Sequence, residues 1–275
     1  MPIAPEVRIV KVEHGVSAAA AALNRKFAPD SALLRATVDI VWDEVEPLWA
    51  ISRLEKVLLC FSPTFSRHEC RGDEAYHVFL GGDPGDPGTA PASSGSASQR
   101  LGPPGPSGPG PSAHAAAGET EETLASVAVP FDGCLALAHL IEHSVIDFQC
   151  AITDQKRCSG VTAAYRRPQG RFDIIFESPV RRLGMSCLAL AAEWLPSALA
   201  GKPLGAPERA ILAAARFLYG HPGKTLTAPE LAKALCWSAR AAEKTMSALG
   251  EVGYLDVTPC SFNFSGIPEY LLSFE

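Results

Sequence analysis

Residues 134–178 read CLALAHLIEHSVIDFQCAITDQKRCSGVTAAYRRPQGRFDIIFES, and this stretch decides what kind of fold the chain can adopt. Its first part, Cys134 to about Ala151, carries apolar residues at helical spacing. Leu137, Ile141, Val145 and Phe148 form one stripe, and His139, Glu142, His143 and Asp147 gather on the other side, with Gln149 at the margin. Ile146 falls in the middle of that polar side, so something is expected to cover it. After the helix, Val161–Arg166 and Arg171–Ser178 are short, β-branched and aromatic runs bounded by turn residues, which predicts two strands.

Working outward, strand-like runs precede this stretch at Val7–Val12, Leu33–Trp42, Lys56–Ser62 and Tyr76–Leu80, with another at Leu124–Pro130. A second helix is expected over Arg182–Leu195. Mixed strands and helices predict an α+β chain: a layered α/β domain built from residues 1–80 and 123–205. Residues 81–122 are dense in Gly, Pro, Ser and Ala without core-forming periodicity, so a disordered insertion is expected there. Residues 206–275 change pattern, to helices over Glu208–Gly220, Thr227–Leu235 and Ser238–Val252, then strands at Asp256–Thr258 and Tyr270–Phe274. Thr227 is placed as an N-cap with Pro229 and Glu230 in the first turn, and the whole predicts a small winged helix-turn-helix domain.

Composition bounds the function classes. The 275 residues are 47% hydrophobic and 20% charged, with a formal net charge of −6, which argues against a protein that coats nucleic acid through overall charge. No run of about 20 apolar residues appears, so no membrane partner is expected, and a cytoplasmic location follows by default. Eight cysteines at 60, 70, 134, 150, 158, 187, 236 and 260 form no C-x-x-C pair and are expected as reduced, mostly buried thiols. Gly220-His-Pro-Gly-Lys-Thr225 ends like a phosphate-binding loop, but the position needing the first glycine is Leu218 and no strand precedes it, so nucleotide binding is excluded there.

The chemistry-bearing motif is His139-Leu-Ile-Glu-His143, the H-x-x-E-H of inverted zinc peptidases. Two imidazoles four residues apart on a helix share a face and can chelate one Zn²⁺, while Glu142 sits beside them to polarise a metal-bound water. The metal would lower the pKa of its water from about 15.7 toward about 7 and polarise a scissile carbonyl. Lys156, Arg157, Arg166, Arg167, Arg171, Arg181 and Arg182 cluster after the motif. Arginine forks suit carboxylates, so an acidic or Asp-containing peptide, cleaved at an amide, peptide or isopeptide bond, is the expected small substrate.

His139 through Gln149, followed by Gly170-Arg-Phe-Asp-Ile-Ile-Phe-Glu177 and Gly184, resembles the N-terminal, metallopeptidase-like domain of cyanophycin synthetase over roughly residues 131–198. The resemblance implies His139 and His143 as ligands, Glu142 as the general base, Glu177 as the third ligand, and Asp147 and Gln149 as supports behind them. Convergence of His139, His143 and Glu177 to donor separations of about 3–4 Å is what such a site requires. A non-catalytic reading stands beside the hydrolase: a winged-helix regulator or scaffold with a structural or vestigial metal site. The recognition helix would then offer Arg240 and Lys244 to DNA, or its surface to a protein partner.

Overall fold

The computed structural model describes residues 4–21, 23–24, 26–28, 30–43, 47–62, 65, 79–80, 131–155, 158–221, 225–257 and 262–263. In chain order the elements are β1 (Glu6–Gly15), α1 (Ala18–Ala21), β2 (Leu33–Val41), α2 (Pro47–Phe61), β3 (Phe79–Leu80), α3 (Phe131–Thr153), β4 (Gly160–Tyr165), β5 (Arg171–Glu177) and α4 (Arg181–Leu199). They continue with α5 (Ala206–Tyr219), β6 (Thr225–Leu226), α6 (Ala228–Leu235), α7 (Ala239–Glu251), β7 (Asp256–Val257) and β8 (Phe262–Asn263). The fold class is α+β, as the alternation of patterns predicted.

The larger sheet has the order β1-β2-β5-β4-β3. Its first four strands pair antiparallel, and β3 joins parallel to β4 at Phe79↔Ala164 and Leu80↔Tyr165. Strand side chains alternate between faces. On β5, Phe172, Ile174 and Phe176 point into the main core, in register with Val38, Ala36 and Leu34 of β2 and with Ala164, Thr162 and Gly160 of β4. The intervening Arg171, Asp173, Ile175 and Glu177 therefore face the other way.

Helix α3 lies on the core face of this sheet, against β2, β4 and β5, with α2, α4 and α5 packed around its remaining sides. It is thus enclosed on all sides, and that is why its polar positions are buried with its apolar ones. It is also the described helix long and apolar enough to cross a membrane, but 83% of the window Gly133–Thr153 is buried inside the protein, so its apolarity is consumed by the core.

The far face of the sheet carries a charged network beside a small apolar cluster of Phe27, Leu33, Val161 and Ile175. Asp173, fully buried, accepts hydrogen bonds from Arg35 (Nε, 2.7 Å), Thr37 Oγ1 (2.7 Å) and Tyr165 OH (3.1 Å). Asp39 takes both arms of the Arg171 fork at 2.7 and 3.0 Å, and Arg8 at 2.7 Å. The Arg171 hydrogen bonds, with Arg8 adding, hold the Asp39 carboxyl below the usual carboxylate range. A depressed folded-state pKa stabilises the fold above the unfolded value of about 3.9 and ceases to do so as pH falls through the lower folded value. Asp39→Asn is therefore expected to flatten the loss of stability below pH 4 in acid titrations followed by circular dichroism; an unchanged acid limb would refute the role given to this pair.

Three sequence expectations need correction or fall elsewhere. Lys56–Ser62, read as a strand, is helical through Phe61, the end of α2. Its apolar run hid the helical spacing of Ile51, Leu54, Leu58 and Phe61, all buried, which becomes visible only over the longer window. The second strand of the C-terminal pair is Phe262–Asn263; Tyr270–Phe274, Leu124–Pro130 and the insertion 81–122 lie outside the described residues. The six described cysteines are free thiols, although Cys60 and Cys236 are exposed rather than buried.

In the C-terminal part, α5, β6, α6, α7, β7 and β8 follow one another, and the strands form a sheet of order β6-β8-β7. The helix starts obey their capping chemistry: Glu230 Oε2 accepts from Thr227 N at 2.7 Å and Thr227 Oγ1 at 2.8 Å, and Ser238 Oγ accepts from Ala241 N at 3.2 Å. This part shares the main core. Tyr254 OH donates to Ala215 O at 2.9 Å, Ser186 Oγ to Val252 O at 3.0 Å, and Arg209 to Phe61 O at 3.1 Å.

Candidate metal centre

His139, Glu142 and His143 come from three successive polar positions of α3, and every one is buried, at 7, 4 and 9% exposure. Their donor atoms all lie within 4.8 Å of one another, forming a buried group that could bind a metal ion. The imidazole rings sit 4.2 Å apart, centroid to centroid, on one helix face as i,i+4 neighbours. His139 Nδ1 lies 3.5 Å from Glu142 Oε2. Phe65 approaches His143 edge-on, with ring centroids 6.0 Å apart. Two imidazoles and a carboxylate are a donor set that zinc accepts, so the residues present fit the ion.

The cover predicted over Ile146 is β4. Thr162 Oγ1 donates to Glu142 Oε2 at 2.6 Å. Gly160, beside it, leaves room for the carboxylate: a Cβ there would stand 2.6 Å from Glu142 Oε1 and 2.8 Å from Ile146 Cδ1. Neither Gly160 nor Thr162 was singled out from the sequence. The only signal was a lone hydroxyl at an inward position of an otherwise apolar strand. Gly160→Ala is expected to displace the Glu142 carboxylate and cost about 1–3 kcal/mol through overpacking, measured by denaturant unfolding; a cost within ±0.5 kcal/mol would contradict this close fit.

Glu177 is not brought to this group. It ends β5 on the sheet face away from α3, where its carboxylate accepts from Ser31 Oγ at 3.1 Å and Ser159 N at 2.9 Å. Strand alternation is the reason: Phe176 points at α3, so its neighbour cannot. The third-ligand role implied by the resemblance is therefore corrected. What approaches α3 from this position is the backbone, since Glu177 O accepts from Gln149 Nε2 at 3.2 Å and from the Cys158 thiol at 3.1 Å.

Gln149 acts as a structural tie. Ser178 Oγ donates to its Oε1 at 2.8 Å, so one amide joins the end of α3 to the β5–α4 junction. Gly184 belongs to the same knot, because a Cβ there would lie 2.8 Å from Leu34 Cδ1 and against Ser178. Asp147, 2% exposed, is one turn beyond His143. Burial, with Asp147 adding, pushes the Cys150 thiol up to about 11, and burial raises Cys158 and Cys187 as well. These thiols are protonated at neutral pH and are not nucleophiles.

Among the predicted arginines, Arg166 and Arg167 are exposed in the turn after β4, Arg171 is bound to Asp39 on the far face, and Arg157 lies outside the described residues. On α7, Arg240 and Lys244 are exposed, alternating with exposed Glu243 and Glu251. No protein-family model, curated protein or solved structure matches this chain, so the cyanophycin-synthetase resemblance rests on the residues quoted for it alone.

Proposed function

We propose that this protein is a zinc-dependent hydrolase acting on an amide-type bond, with its metal on α3. The observation that carries the reading is the convergence of His139, Glu142 and His143 as a buried group on a helix enclosed by the core. A bound zinc ion would supply Lewis acidity and a water with a lowered pKa. His139 and His143 hold the ion, their spacing maintained by the helix, while Thr162 keeps the Glu142 carboxylate turned toward them. Arg166 and Arg167 remain candidates to hold an acidic peptide; Arg171, committed to Asp39, does not.

The test is hydrolysis of Asp-containing peptides and isopeptides by purified protein. Activity is expected to disappear on chelation, return with stoichiometric Zn²⁺, and be absent in His143→Ala. A second reading, a structural metal site in a non-catalytic protein, is favoured by how little of the group reaches solvent. Stoichiometric zinc with no turnover, accompanied by a rise in Tm on loading, would establish that reading instead.

The C-terminal part reads as a winged helix-turn-helix domain used for packing rather than DNA reading. Two of its cations are spent internally: the Arg209 guanidinium lies 5.2 Å from the Phe61 ring centre, and Arg216 pairs with Asp154 at 3.2 Å. Binding to duplex DNA at physiological salt is expected to be no tighter than the non-specific range of about 10⁻⁴–10⁻⁶ M, and unaffected by Arg240→Ala with Lys244→Ala. Tight, salt-sensitive binding lost in that double variant would reverse the assignment.

A further inference from the structure

We infer that Glu142 is itself the third metal ligand, and that Thr162 is the residue that positions it; this rests on the metal-binding reading above. Two donors each about 2.0–2.2 Å from one tetrahedral zinc lie about 3.3–3.6 Å apart. The His139 Nδ1 to Glu142 Oε2 separation of 3.5 Å matches that edge. A carboxylate serving as base on a coordinated water would stand farther back, by the width of that water. The only other carboxylate assigned to the metal, Glu177, faces away from α3 and is bound by Ser31 and Ser159.

Glu142 is also held as a ligand needs to be. Its Oε2 accepts from Thr162 Oγ1 at 2.6 Å, leaving a further lone pair on that oxygen, and its Oε1 occupies the gap above Gly160. Groups that hydrogen-bond a ligating carboxylate fix its orientation and raise the affinity of the site. The ligand set is then two histidines and one glutamate from a single helix, with the fourth position open.

Zn²⁺ affinity by competition with a chromogenic chelator, and the visible absorption of the Co²⁺-loaded protein, test this. Glu142→Gln preserves shape and can still accept from Thr162, so it should fold; it is expected to weaken zinc by more than about a hundredfold and alter the Co²⁺ spectrum. Thr162→Val should cost about 10–100-fold in affinity, and Thr162→Ser should restore most of it. A purely structural Thr162 would lower Tm without moving the Co²⁺ spectrum. If wild-type protein binds one zinc and Glu142→Gln binds it equally well with an unchanged spectrum, the ligand assignment is overturned while the metal site stands. If wild-type protein binds no stoichiometric zinc, the metal-binding reading itself falls.

Discussion

Replacing His139 with alanine is expected to weaken zinc binding by more than about a hundredfold while leaving the fold in place. Changes to groups that merely support a ligand cost about 10–100-fold, so loss of a ligand should exceed that range. The fold should survive because alanine is the best helix former and α3 is held by its apolar side. Leu137, Ile141, Val145 and Phe148 are all fully buried, and none of them contributes to the metal group. His143→Ala should lose zinc equally, with an added packing cost because the Phe65 ring loses its edge contact. Chelator competition together with far-ultraviolet circular dichroism checks both halves; retention of stoichiometric zinc by either variant would remove α3 as the metal carrier.

Phe148→Ala should have the largest effect on stability. Its ring, with no solvent exposure, meets Trp194 of α4 at 5.3 Å and Phe61 of α2 at 6.4 Å, both edge-on, and those two rings meet each other at 6.2 Å. One aromatic cluster thus locks α2 and α4 onto α3. Truncation of a buried Phe costs about 3–5 kcal/mol, from lost transfer energy and the cavity left behind. In a chain of this size that is on the order of a 10 °C fall in Tm. Because α3 carries the metal group, zinc affinity should fall with it, but less than in His139→Ala. A loss below about 1 kcal/mol in denaturant unfolding would show that the three helices do not depend on this cluster.

Much of the architecture was legible because local chemistry and tertiary packing agree. The α3 stripe, the two strands that follow it, and the capped helices beginning after Thr227 and Ser238 are all specified by periods and caps that act within a few residues. Helix α2 was not legible from its last six residues, since Val57, Leu58, Leu59, Cys60 and Phe61 form a continuous apolar run that suits a strand equally well. Only the buried positions at Ile51 and Leu54 distinguish the two.

The candidate site divides in the same way. His139, Glu142 and His143 fall on one side of a helix by their spacing alone, and no tertiary information is needed to bring them together. The role of Glu177 depended on something no local pattern encodes. Its alternation with Phe176 determines that they face opposite ways, but which face meets α3 is decided by how the sheet packs. Once Phe172, Ile174 and Phe176 are drawn into the core, Glu177 must point to the far side. The same packing brings Thr162 and Gly160 over Glu142, across 20 and 18 residues of sequence. The sequence by itself determined which side chains share the helix; the tertiary structure alone decided which carboxylate stands with them, because a strand residue's face is set by the layer packed against its neighbours.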